Sequence, residues 1–294
     1  MEPLGNAKAP DASTGNAMPE SWPMPVEAFL SGPYLNRSDV ILTRKHRGFS
    51  SWLIRWATRS HFSHASLVFL VPHLEKGFNN TFVIESASNG VDLSNLRDYL
   101  NEQRMVVGFK RLKGQWFDED IRSLVRGRML NSIKSSYSYA TALAIGWSFF
   151  NDFGFGVRSR IYGARKAIQG RRRQNWHPPN SFICSGLVQL GYIDAVSELI
   201  STGKLEPRRI SEVVMQNDLT QFLPEDWNQF TPAEQFEILW DFVAGFEDVL
   251  EAITPEEIAL SKALQWTYVM RDGLIHKVHS QEEAESLLEL PSHA

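Results

Sequence analysis

The chain has 294 residues and a single cysteine, so it is long enough for a sizeable core, and no intramolecular disulfide can staple that core. With 43% hydrophobic and 22% charged residues it has the make-up of a soluble globular protein rather than a disordered or fibrous one. A net charge of −4 hides an asymmetry: residues 212–294 hold 17 acidic and 3 basic side chains, and no Asp or Glu occurs between Asp152 and Asp194.

Residues 1–27 are rich in Pro, Gly, Ala, Ser and Asn and predict a disordered lead. They lack the basic start and apolar stretch of a secretory signal, which points to a cytoplasmic protein. Asp39–Thr43 predicts a first strand and Ser50–Ala57 an early helix. His64–Val71 reads as a strand ended by Pro72, and Phe82–Glu85 as its return after a polar connection at Glu75–Thr81. Met105–Phe109 predicts a further strand. From there the pattern turns helical, with a helix over Asp118–Asn131 and a buried one over Ser181–Ile200. Thr231-Pro-Ala-Glu234 and Thr254-Pro-Glu-Glu257 each carry a hydroxyl cap, a first-turn Pro and a Glu three residues on. The longest apolar stretch, near 140–150, is about half the roughly 20 residues a membrane-spanning helix needs.

Cys184 stands at the start of the predicted helix, where Asn180 or Ser181 is placed to cap it. A helix N-terminus favours thiolate over thiol, and its free N–H groups suit a developing oxyanion. Burial as a small apolar side chain is the ordinary alternative for a lone cysteine. His64 opens an apolar strand, where an unsatisfied ring is costly. If the strands ending at Val71 and starting at Phe82 form a hairpin, Glu85 shares a face with His64 and can fix its tautomer. Nucleophile, base and orienter are then all present, although a structural His–Glu hydrogen bond would use the same two residues.

The order Asp39-Val-Ile-Leu-Thr, Phe62-Ser-His64-Ala-Ser-Leu-Val, Val83-Ile-Glu85-Ser-Ala with Gly90-Val91, and Phe182-Ile-Cys184-Ser-Gly-Leu-Val resembles the permuted papain-like branch of the NlpC superfamily, in particular its YiiX/YebB-like cysteine hydrolases. The resemblance spans about residues 33–195, with a weaker echo at Thr254-Pro-Glu-Glu and Val269-Met-Arg-Asp-Gly273. It implies Cys184 as nucleophile, His64 as base and Glu85 as orienting carboxylate. It also implies an α+β papain-like fold in which an antiparallel sheet packs against the nucleophile helix. Tyr137, in Tyr137-Ser-Tyr139 where relatives often carry a Tyr-Asp step, and His177, in Trp176-His177-Pro-Pro, are weaker candidates for lining the site.

The expected organisation is a catalytic domain over 28–210, with an insertion or lid at 133–180, and an acidic helical extension over 211–294. The expected activity is that of a cysteine hydrolase on an amide, ester or thioester, with no cofactor. The alternatives are acyl transfer on a lipid or acylated substrate and a non-catalytic binding module that keeps the fold. The basic stretch from Arg158 to Arg173 suits an anionic membrane surface, or else the chain's own acidic C-terminal third. His61 and His64 have no further ligands to complete a metal site, and no phosphate-binding glycine loop is present. Basic and aromatic residues mingle between Phe149 and Trp176 without a nucleic-acid module signature, so nucleic acid is not an expected partner.

Overall fold

Val40, Ile41 and Leu42 are consecutive and all fully buried, so the strand they begin has a covered surface on both faces. That strand, β2 (Val40–Lys45), lies inside an antiparallel sheet of eight strands. The computed structural model describes residues 21–45, 60–87, 90–100, 105–131, 136–137, 181–182, 184–215, 229, 231 and 253–289. The other strands are β1 (Met24–Pro25), β3 (His64–Leu70), β4 (Phe82–Ala87), β5 (Gly90–Asn95), β6 (Met105–Leu112), β9 (Leu264–Arg271) and β10 (Leu274–Lys277). Their order across the sheet is β1-β10-β9-β6-β2-β3-β4-β5. A separate parallel pair joins β7 (Ser136–Tyr137) to β8 (Ser181–Phe182).

The helices divide between the two faces. On one lie α3 (Glu119–Leu130), α4 (Cys184–Ser201), α5 (Arg209–Val213), α6 (Pro255–Leu260) and α7 (Gln281–Leu288), over Val40, Leu42, Ala65, Leu67 and Ile84. On the other, α1 (Val26–Ser31) and α2 (Leu96–Leu100) cover Ile41, Val68, Val83, Val107 and Phe109. The expected α+β class and antiparallel sheet are therefore present.

Helix α4 is apolar almost all round, as a helix enclosed by other elements must be. Leu187, Val188, Tyr192 and Val196 are buried in the main core, each contributing roughly 1.5–3 kcal/mol by leaving water. Gly191 is what lets α3 come so close, since a Cβ there would meet Met129 Cγ at 2.5 Å. Ser185 Oγ donates to the Ile253 carbonyl. Gln189 donates to the Val213 carbonyl at 3.0 Å and accepts from the Met215 N–H at 2.7 Å. The N-terminal half of α4 is thus fixed by directional bonds as well as by burial.

Three expectations need correction. The lead was expected to run through residue 27, but Met24 pairs with Ile275, and Met24, Val26 and Phe29 are buried among Phe109, Tyr268 and Ile275. Apolar side chains with a sheet edge to cover outweigh the Pro content there. The C-terminal third was expected to be helical, but it supplies β9 and β10 to the sheet, with β9 paired along β6. The hairpin turns at Asp272-Gly273, both at positive φ, a turn geometry that Asp-Gly favours. Finally, the helix expected over Ser181–Ile200 begins at Cys184, because Ser181 and Phe182 pair as a strand with Ser136 and Tyr137.

Two capped starts behave as expected. Asp118 accepts from the Ile121 N–H at 3.0 Å, and Thr254 and Glu257 form a reciprocal capping box around Pro255. Beside that helix, Lys110 is fully buried, and its ammonium donates to the carbonyls of Ile258, Ala259 and Ser261, at 2.5–3.1 Å. Burial pulls its pKa down to about 7, yet three carbonyls consume all three of its protons and favour the charged form. A bulge in β9 beside Phe109 and Lys110 sets Trp266 under the ammonium, at 4.8 Å from the ring centroid. The expected element at 50–57, residues 232–234 of the second capped start, the insertion at 133–180 apart from 136–137, and the basic stretch 158–173 lie outside the described residues.

Candidate active site

His64 is the first residue of β3, and Glu85 lies in the neighbouring β4. Leu67 pairs with Ile84. Continuing that register by one step puts Ser66 opposite Glu85, with His64 on the diagonal of the same face, within reach of a long side chain. His64 Nε2 donates to Glu85 Oε2 at 2.5 Å. This is the side-by-side placement that a hairpin predicts, reached along the diagonal rather than straight across.

Cys184, at 5% exposure, opens the 18-residue helix α4, whose positive end faces the sulfur. Its sulfur is hydrogen-bonded by His64 and by the backbone N–H groups of Ala65 and Ser185. With Nε2 committed to Glu85, Nδ1 is the ring nitrogen left for the thiol. The three residues form one chain, thiol to ring to carboxylate, drawn from three different elements. Helix α4 packs on β3 and β4 through Leu187 and Val188 against Ala65, Leu67 and Ile84, and this contact brings its first residue to the start of β3.

The electrostatics follow from this geometry. Burial alone would lower the His64 pKa, but the Cys184 charge and hydrogen bond, aided by Glu85, raise it to about 10. Burial would likewise raise Cys184, but the His64 charge, its hydrogen bond and the two backbone N–H groups bring the thiol below its ordinary value. Glu85 is driven upward by burial and downward, more strongly, by His64, Ser94 and Tyr99, to about 2. The Cys184 and Glu85 charges favour the imidazolium form of His64, and the imidazolium in turn favours the thiolate over the thiol. The His64 side chain remains 20% exposed, so the ring is accessible from solvent.

Glu85 has two further donors that the sequence reading did not find. Ser94 Oγ on β5 donates to Oε1 at 2.5 Å, and the Tyr99 hydroxyl on α2 donates to Oε2. Burial and the Glu85 charge raise the Tyr99 pKa, so its hydroxyl keeps its proton. The hairpin register held a signal for Ser94: Glu85 pairs with Asp92, so Ser94 is its diagonal neighbour. Tyr99 had no such signal, because its position depends on how α2 folds back from β5.

The backbone of Tyr137 is paired with Phe182, two residues before Cys184, so this candidate is brought near Cys184. His177 lies outside the described residues. Among the described residues, no group of three or more His, Cys, Asp or Glu side chains is arranged to hold a metal ion, and no helix is long and apolar enough to cross a membrane. Compared with models of known protein families and with curated proteins, the chain matches none.

Proposed function

We propose that the protein is a cysteine hydrolase of the permuted papain-like type, with Cys184 as nucleophile, His64 as general acid and base, and Glu85 as the carboxylate that orients His64. The observation that carries this reading is the continuous Cys184–His64–Glu85 chain, with the sulfur at a helix N-terminus. The antiparallel sheet packed against the nucleophile helix, and the chain order His, Glu, Cys, support the likeness to the YiiX/YebB-like branch.

In the first half-reaction the Cys184 thiolate attacks the carbonyl carbon of an amide, ester or thioester, and the C=O pair moves onto oxygen. The tetrahedral intermediate collapses as His64 passes its Nδ1 proton to the leaving nitrogen, oxygen or sulfur, leaving an acyl-thioester on Cys184 and a neutral imidazole. In the second, His64 takes a proton from water as the oxygen attacks the thioester carbonyl. The C–S bond then breaks, giving the carboxylic acid and restoring the thiolate–imidazolium pair. An amine or hydroxyl acceptor in place of water makes the same site an acyltransferase. Glu85, with its pKa far below that of His64, stays ionised and takes no proton.

The test is the rate of alkylation by iodoacetamide from pH 5 to 9, for the wild type and His64→Ala, followed by mass spectrometry after incubation with an activated acyl ester. A reactive thiolate well below pH 8 that disappears in His64→Ala, with one acyl group on Cys184, is the expected result. A slow reaction common to both proteins, with no adduct, would make the chain a binding module that keeps the fold.

A further inference from the structure

We infer that Tyr99 and Ser94 are positioning residues for the reaction at Cys184, acting through Glu85. This inference rests on the cysteine hydrolase reading and assigns roles to two side chains that the triad alone leaves unexplained. A carboxylate has about four acceptor sites on two oxygens. Here Oε2 accepts from His64 Nε2 and from the Tyr99 hydroxyl, and Oε1 accepts from Ser94 Oγ. His64 reaches Glu85 from β3 and Ser94 from β5, on either side of β4, so Glu85 is gripped across its own strand, and Tyr99 adds a third donor from α2. A carboxylate held at both oxygens cannot turn away from the imidazole.

The chemistry of the two added donors matters as much as their placement. Both are neutral hydroxyls, which satisfy a buried carboxylate without bringing a second cation to it. An Arg or Lys in either place would compete with His64 for the Glu85 charge and leave the imidazolium less favoured. With hydroxyls there, the imidazolium is, among the described residues, the only cationic group bound to Glu85. The Tyr99 ring also lies nearly parallel to the His64 ring, with centroids 6.5 Å apart and an angle of 11° between planes. Tyr99 thus both holds the orienter and flanks the ring it orients.

The experiment uses the full chain and follows alkylation of Cys184 by iodoacetamide from pH 5 to 10. Tyr99→Phe and Ser94→Ala are each made in the wild type and in Glu85→Gln, with circular dichroism to verify folding. In the wild-type background each variant is expected to slow alkylation at pH 6 by about 3- to 10-fold, the size of one ordinary hydrogen bond. The rising limb is expected to shift to higher pH. In Glu85→Gln the same changes have no further effect, and Ser94→Thr, which keeps the hydroxyl, restores the rate. Equal losses in both backgrounds, a loss that Ser94→Thr leaves unrepaired, or no loss at all would overturn the inference while a reactive wild-type thiolate leaves the hydrolase standing. An ordinary wild-type thiol, unchanged by His64→Ala, would remove both. If Tyr99→Phe fails to fold, the Ser94 variants alone decide the matter.

Discussion

Asp39 and Glu85 are both carboxylates buried in the same domain, and they are held in opposite ways. Asp39 is fully buried just before β2 and takes two bonds from Arg111, both at 2.7 Å, with Arg122 at 3.9 Å and the Asn36 N–H at 2.8 Å. Glu85 takes two hydroxyl donors and one imidazole. The guanidinium of Arg111 is held charged at any ordinary pH, with hydrogen bonds and charge from Asp39 overcoming the cost of burial. The imidazole of His64 can gain and lose a proton. Both carboxylates are satisfied, so neither burial nor hydrogen bonding separates the structural site from the candidate active one. The difference is whether the partner titrates.

The sharpest way to break the comparison is at the far end of the titrating chain. Cys184→Ser is expected to abolish acyl-adduct formation with little change in thermal stability, and His64→Ala to reduce it by at least about 10³-fold. Asp39→Asn should do the reverse. Leaving Arg111 and Arg122 without their carboxylate is expected to cost about 3–5 kcal/mol, seen as a lower urea midpoint, while folded protein keeps its reactive thiol.

A smaller effect distinguishes the two carboxylates by pH. The Glu85 pKa is about 2 when folded, against an ordinary value of 4.5. Its stabilisation is therefore present above pH 4.5 and lost as pH falls from 4.5 toward 2. The amount is on the order of 3 kcal/mol. Urea unfolding of wild type and Glu85→Gln at pH 7, 4 and 3 should show the gap between them closing as pH falls. On the alkaline side, hydrolysis should decline near pH 10, where His64 loses the proton it gives to the leaving group. The smallest effect belongs to an exposed pair: Glu206→Gln, which frees Arg208 at the surface, should leave the urea midpoint within about 0.5 kcal/mol of wild type.

Much of the site was legible because its members stand in short, type-specific surroundings. His64 and Glu85 follow from a two-strand pattern, and Cys184 from a helix start, each a local signal. Ser94 was not read, because its signal exists only once Gly90–Asn95 is paired with Phe82–Ala87, and Tyr99 was not read, because its place depends on how α2 folds back from β5. The C-terminal strands were legible but outweighed. Thr231-Pro and Thr254-Pro announce helices strongly, whereas Leu264–Lys277 carries its signal in one Asp-Gly turn between two apolar runs. Lys110 is illegible in principle. A lysine in a strand reads as a solvent-facing residue until the helix whose carbonyls it binds, about 150 residues later, is in place.

The pairing of Met24 with Ile275 places one edge of the sheet under the control of synthesis order. When the ribosome has made β1, the strand it pairs with lies some 250 residues in the future, and β6 likewise waits for β9. The β2–β5 edge, carrying His64 and Glu85, can pair as soon as it emerges, but Cys184 is about 100 residues behind. A nascent chain halted between α4 and β9 therefore holds Cys184, His64 and Glu85 beside a sheet with an open, hydrogen-bond-hungry flank at β6. Such an intermediate is a natural client for a chaperone and a natural seed for strand-to-strand aggregation.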